Sequence, residues 1–259
     1  MILQRTLPYD VMTPRPLPGI APLGDDPWLL VDDAHAAQMT ERLRLMASRR
    51  DDVIATADPD PGNLLKMMNA VLDHLPKGYT RSGDHVSSPD GRFVLINMSD
   101  PFGTLGQILQ NDICLMEKRG DEHVLTGAVL CFLASWRLRE KIGRPLTHIH
   151  VPVKSYTDDV ARRVQRLFDW VRPERPIWRF NALWYEDPSL YQPRAESEPR
   201  PLTEAGQTPY LRSERQVLWR LPDSDAVLFT IHTFILKRES LDHLATYTVP
   251  TPKPEISRE

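Results

Sequence analysis

Cysteine is nearly missing: the 259 residues hold only Cys114 and Cys131. Two thiols make no disulfide framework, so reduced, buried cysteines in a cytoplasmic protein are expected. Long apolar runs are missing as well. The longest, GAVLCFLASW at 127–136, is too short to span a bilayer. The opening MILQRTLPYD lacks the basic-then-apolar layout of a signal peptide. A net charge of −3 without a Lys/Arg cluster leaves no electrostatic footprint for nucleic acid. Neither membrane nor nucleic acid is therefore an expected partner. No Gly-rich phosphate loop, dinucleotide fingerprint or nucleophile elbow occurs. Any redox chemistry must borrow its electrons from another protein, since no flavin or nicotinamide site is legible.

Proline is the one excess. Its 24 residues are nearly twice the usual share of about 5%. They cut the chain into short elements and argue against a helical bundle or a long repeat array. Residues 1–31 read as an extended arm over a core, 32–250 as one domain, and 251–259 as a tail. Helices are expected over 32–50, with Asp32 or Asp33 as N-cap, and over 60–75, with Asp60 as cap and Pro61 at its first position. A short helix is expected near Thr104–Gln110. Ser135 can cap a helical turn through Glu140. The stretch 156–173 is capped by Thr157 and striped by Val160, Val164, Leu167, Phe168 and Val171. Strands are expected at 92–98, at 113–118 with 123–133 as a hairpin, and at 177–186, 212–221 and 226–236. THIHVPV (147–153) reads as extended, because residues before proline avoid the helical region. The loop 187–210 is long enough for a lid or docking surface. The order of elements favours α+β with a mainly antiparallel sheet.

Two sets of residues offer chemistry. In an extended segment His148 and His150 face one side, so both could address a bare iron or zinc given a third ligand such as Glu214 or His232. No carboxylate follows in VPVKSY, which departs from the cupin-like pattern. A haem needs only one axial histidine, an apolar pocket and cations for its propionates. Surface or hydrogen-bonded histidines are the plain alternative. In LRSERQVLWRLP (211–222), alternation puts Arg212, Glu214, Gln216 and Leu218 on one face, and Ser213, Arg215, Val217 and Trp219 on the other. In the next strand Leu228, Thr230, His232 and Phe234 share a face. Such charges are commonly a solvated strand face, and an isolated buried histidine or tryptophan is commonly core.

Four pieces of the chain together resemble the haem-dependent oxidative N-demethylase family: residues 27–53, CFLASWRLREKIGRPLTHIHVPV (131–153), RFN (179–181) and LRSERQVLWRLPDSDAVLFTIHTF (211–234). The second and fourth are the specific ones. The resemblance runs from about Pro8 to about Phe234. It implies a PAS-like haem domain, an antiparallel sheet with flanking helices. It implies haem b as cofactor, a small secondary amine such as dimethylamine and dioxygen as substrates, and formaldehyde as product. A separate flavin and iron–sulfur reductase would be the electron source, within a homo- or hetero-oligomer. Residue by residue, the family's Ile-His before Pro-Val falls on Ile149, His150, Pro152 and Val153, making His150 the expected axial ligand. Arg-x-Asn falls on Arg179 and Asn181. Arg-x-Glu-Arg-Gln falls on Arg212, Glu214, Arg215 and Gln216, with Arg212 and Arg215 expected at the propionates. Ser135 and Trp136 match the central block loosely. Glu214 and His232 are the expected proton-handling residues of the distal pocket. Two departures stand out. Ala182, not Trp, follows Asn181, and the family's Thr-Ile-Arg-Thr-Tyr becomes Thr230, Ile231, His232, Thr233 and Phe234. His232 as a second axial ligand would make a non-catalytic haem sensor the alternative. A bare-metal enzyme using His148 and His150 is the third reading.

Overall fold

Strands from both halves of the chain build one large antiparallel sheet. The computed structural model describes residues 1–11, 13, 19–150, 158–196, 198 and 208–241. In chain order the elements are β1 (Ala21–Pro22), α1 (His35–Ser48), α2 (Arg50–Val53), β2 (Ile54–Thr56), α3 (Pro61–Asp73), β3 (Thr80–Ser82), β4 (His85–Ser87), β5 (Phe93–Leu95) and α4 (Pro101–Ile108). There follow β6 (Asp112–Arg119), β7 (Glu122–Val129), α5 (Leu138–Lys141), α6 (Leu146–His150), α7 (Asp158–Trp170), β8 (Ile177–Tyr185), β9 (Tyr210–Arg220), β10 (Val227–Lys237) and α8 (Arg238–Leu241). The large sheet runs β1-β8-β9-β10-β6-β7-β2, and β3-β4-β5 form a small second sheet. Numbering the five long strands β6 to β10 as one to five, the order is 2-1-5-4-3, the arrangement of a PAS-like sheet. The fold is α+β, as expected.

Strand register assigns each residue to a face. One row across β8, β9, β10 and β6 is Ile177–Leu218–Phe229–Cys114. It lies in the apolar cluster that takes in Leu138 of α5, Leu146 and Ile149 of α6, and Phe168 beside Val164 and Leu167 of α7. The next row outward alternates to the opposite face: Trp178–Val217–Thr230–Ile113. That face meets the larger cluster, with Leu45 of α1, Met67 of α3 and Leu105 of α4. The sheet therefore has a helical layer on each side. The layer of α5, α6 and α7 is here the inner side, and that of α1, α3 and α4 the outer side.

Several expectations are corrected. α1 starts at His35 with Ala34 at its N-cap and no side-chain cap bond there. Asp32 does accept the Ala34 N–H at 2.9 Å, but its carboxylate is turned to Gln4, Gln110 and His232. Asp60 caps α3 as expected, accepting the Asn63 N–H at 2.9 Å with Pro61 following. Ser135 caps nothing: it takes φ 68°, and α5 opens only at Leu138. The 92–98 strand is only Phe93–Leu95, and the helix after it starts earlier, at Pro101 behind an Asp100 cap. THIHVPV is not extended throughout, because Leu146–His150 is helical. Proline restricts only the residue directly before it, here Val151, so Thr147 to His150 were free to coil. Residues 151–153, the Thr157 cap, the side chain of Val160, most of the expected 187–210 loop beyond 196, and the tail lie outside the described residues.

α7 is fixed to β7 by one histidine. The His123 N–H donates to Gln165 Oε1 at 3.2 Å, and Gln165 Nε2 donates back to His123 Nδ1 at 3.0 Å. His123 Nε2 then donates to the Asp225 carbonyl at 3.2 Å. This pattern needs the neutral ring. Burial drives the His123 pKa from the ordinary 6.5 down to about 4. The unfolded chain therefore binds the extra proton first as pH falls, and stability declines between pH 6.5 and about 4. Urea unfolding across that window should show a falling midpoint, and His123→Gln should flatten the decline. An unchanged pH dependence in the variant would contradict this role.

Candidate functional site

The inner side of β8 and β9 carries a polar patch beside the apolar cluster. Register places Arg179 opposite Gln216, Asn181 opposite Glu214, and Leu183 opposite Arg212. The centre is the Glu214 carboxylate. It accepts Asn181 Nδ2 at 3.0 Å, Arg212 Nε at 3.2 Å and Gln216 Nε2 at 3.4 Å. The Glu214 N–H donates in turn to Asn181 Oδ1 at 3.2 Å. Glu214 is thus held from both strands, with its side chain 17% exposed.

Arg212 is buried and fully engaged. Besides Glu214 it donates through Nη1 to the Leu190 carbonyl at 3.1 Å and through Nη2 to the Phe132 carbonyl. It therefore orients Glu214 and closes two loop carbonyls, and it has little donor capacity left for an outside carboxylate. Arg179 is the contrast. It is half-buried, its Nε is buried without a partner among the described residues, and burial lowers its pKa while the Glu214 charge opposes that. A guanidinium cannot shed its proton at ordinary pH, so Arg179 is the cation on this side suited to an incoming carboxylate.

α6 lies on the same side. Leu146 and Ile149 enter the cluster that Leu218 and Ile177 share, and Trp136 packs against it half-buried. The helix ends at His150, whose side chain lies outside the described set. His148 is exposed. Both histidines lie in a helix, not in the extended segment that the shared-face reading assumed. Among the described residues no group of three or more His, Cys, Asp or Glu is placed to hold a metal ion.

Arg215 and His232 are not part of this patch. They form a cross-strand pair on the outer side, in a row with Phe180. His232 Nε2 pairs with Asp32 Oδ2 at 2.9 Å. Burial alone would raise the Asp32 pKa, but the His232 hydrogen bond and charge, with Gln110 and Gln4, hold it below the ordinary carboxylate value. Arg215 lies 5.4 Å from the Trp178 ring centroid. The structure thus joins Asn181, Arg212 and Glu214 in one patch, has Trp136 and α6 at the apolar cluster on the same face, and sets Arg215 and His232 across the sheet from them. Sequence reasoning did not foresee Tyr9 and Asp32 as partners of the outer row, where Tyr9 meets Ser213 at 2.9 Å. The one available signal was the burial of an aromatic within a proline-rich arm.

The family model described as haem-dependent oxidative N-demethylase, alpha subunit-like, matches residues 19–247. The chain belongs to this family. For an N-demethylase-like protein the relevant test is whether the inner side suits a haem. A haem asks for an axial base, an apolar wall and a cation for its carboxylates. Ile149, Val164, Leu167 and Ile231 supply apolar surface, Arg179 has an unused buried donor, and α6 brings a histidine position to the same side. The residues fit. No helix among the described residues is long and apolar enough to cross a membrane.

Arg212 has a consequence that can be measured. Arg212→Lys keeps the charge but loses the planar fork, so two or more of its three contacts fail. Urea unfolding should show a loss of about 1–3 kcal/mol, larger than for Arg179→Lys. Equal effects in the two variants would contradict the assignment of Arg212 as the structural member.

Proposed function

We propose that this chain binds haem b on the inner side of the sheet and oxidises a small secondary amine of the dimethylamine type. Electrons come from a separate flavin and iron–sulfur reductase. The overall chemistry balances: dimethylamine, dioxygen, two electrons and two protons give methylamine, formaldehyde and water. The observation that carries the reading is the gathering of Glu214, Asn181 and Arg179 on the face of the sheet that also carries the apolar cluster with α6.

When bound, haem supplies dioxygen activation, which no side chain provides. The roles of the chain's own residues follow from charge and placement. His150 would hold the haem iron. Arg179 would hold one of its carboxylates. Glu214, gripped by Asn181, Arg212 and Gln216, is a preorganised anion for the N–H groups of a protonated amine and an acceptor for its proton. Preorganisation matters because the carboxylate then needs no rearrangement on binding. Trp136 and the apolar cluster keep water from the reacting groups. Arg215 and His232 take no part, since the sheet stands between them and α6. For the same reason the sensor reading, which needed His232 as second ligand, is not supported. The bare-metal reading lost its shared histidine face with the helical α6.

Absorption spectra of the purified protein test the cofactor. A Soret band is expected, and His150→Ala should shift or abolish it while His232→Ala leaves it in place. A band unchanged in His150→Ala would overturn the axial assignment. Formaldehyde release from dimethylamine with a reductase supplied tests the rest. Glu214→Gln should raise KM about tenfold or more, the worth of one charged hydrogen bond, with the Soret band retained. An unaltered KM would remove Glu214 from substrate binding.

A further inference from the structure

The outer side of β9 and β10 holds buried polar atoms that the proposed reaction does not use. Arg215, Thr230 and His232 are 4%, 1% and 0% exposed. Arg215 stands directly opposite His232, and Thr230 precedes His232 by two residues on the same face, opposite Val217. Arg215 Nη1, Thr230 Oγ1 and His232 Nδ1 have no hydrogen-bond partner among the described residues. Three such atoms on adjoining positions are unusual, because buried polar groups are nearly always satisfied.

Charge makes the cluster more than an unfilled hydrogen-bond set. His232 has its counter-ion, Asp32, at 2.9 Å. Arg215 forms no ion pair among the described residues. The acidic groups whose field reaches it are Asp26, which is exposed, and Tyr9. The Tyr9 hydroxyl is itself buried against Ser213, and burial raises its pKa, so it brings no negative charge. A permanent cation is therefore taken out of water with the Trp178 ring face beside it and, among the described residues, the field of exposed Asp26 as its charge compensation. A buried charge with no direct counter-ion is costly. A water molecule can satisfy donors but cannot offset the charge. A small anion does both.

We infer that Arg215, Thr230 and His232 form a binding site for a small oxyanion of the carboxylate class on the outer side of the sheet, beneath the N-terminal arm. The guanidinium supplies the charge and a planar donor that matches a carboxylate. The Thr230 hydroxyl donates a second bond. His232, held through Nε2 by Asp32, closes the site opposite Arg215. The depth of burial of all three side chains favours a small ion over a bulky one. The site does not rest on the haem reading, because the sheet separates it from Arg179, Glu214 and α6.

Formate is the probe. The full-length protein is titrated with sodium formate replacing sodium gluconate at constant ionic strength, and binding is followed by calorimetry and by the thermal unfolding midpoint. The wild type should give saturable heat and a rising midpoint. Thr230→Val, nearly isosteric, should weaken formate about tenfold, as expected for one bond to a charged partner. Arg215→Met should abolish the saturable response while unfolding at an equal or higher midpoint without formate, since it removes a buried charge with no direct counter-ion. Arg215→Lys, which keeps the charge, checks the result if the methionine variant folds poorly, and it should retain a weakened response. Absence of saturable binding in the wild type, or an equal response in Arg215→Met, would overturn the site and leave buried water as the partner of these atoms.

Discussion

One buried ion pair holds the layers in register. Arg42 of α1 meets Asp112, the first residue of β6, at 2.5 Å, with both side chains at or below 1% exposure. Such a pair is stabilising only when its hydrogen-bonding groups are well used, and here each guanidinium nitrogen and both carboxylate oxygens have a partner. Arg42 Nε reaches the Gly106 carbonyl at 2.9 Å and Nη2 the Asn111 carbonyl at 3.0 Å. Asp112 accepts the Cys131 and Phe132 N–H groups at 2.8 and 2.9 Å. Four segments meet at one charge pair: α1, the end of α4, the start of β6 and the turn after β7. The same turn then offers the Phe132 carbonyl to Arg212, and Arg212 holds Glu214. A continuous set of polar contacts thus runs from α1 on one side of the sheet to the candidate site on the other. The position of Glu214 depends on residues that never approach the substrate.

The sheet divides a contiguous motif into two environments. Arg212, Glu214 and Gln216 look to the helices α5 to α7, whereas Ser213 and Arg215 look to the arm and α1. Period-two alternation made that division legible from sequence. Grouping by chemistry concealed it, because two arginines three residues apart look like one propionate clamp. Geometry separates their roles. Arg212 engages protein carbonyls and a carboxylate through all three of its nitrogens, while Arg215 lies against an aromatic face. The cation available on the inner side is Arg179, which sequence reasoning reached only through its spacing from Asn181.

Legibility tracked the range of the determining contact. The hairpin of β6 and β7, the β9–β10 pair, α3 with its Asp60 cap and the stripe of α7 were all readable, because each is set by neighbours within a few residues. The short α6 was not. Two prolines invited an extended reading, but the Ile149 N–H closes onto the Pro145 carbonyl at 3.0 Å and Ile149 packs into the inner cluster. Tertiary burial decided a segment too short to declare itself. Asp32 failed differently. Its type and position suit a helix cap, but His232, 200 residues away, competes for the same oxygens and wins a charge-assisted bond. No local pattern carries that information. Ser135 likewise follows the Ser135–Gln192 backbone bond at 3.0 Å and not its own capping preference.

The departure at position 232 takes its meaning from the outer row. With arginine there, as in the family pattern, two guanidiniums would face each other across β9 and β10. Asp32 could balance only one. With histidine, the Asp32 pair is close to neutral when the ring is protonated and singly negative when it is not. Arg215 then remains the single permanent positive charge of the row. The substitution therefore adjusts the charge beneath the arm and leaves the Glu214 patch as it was. A chain with His232 keeps the inner donors that the proposed amine oxidation uses. What it changes is the demand for an anion on the far side of the same sheet.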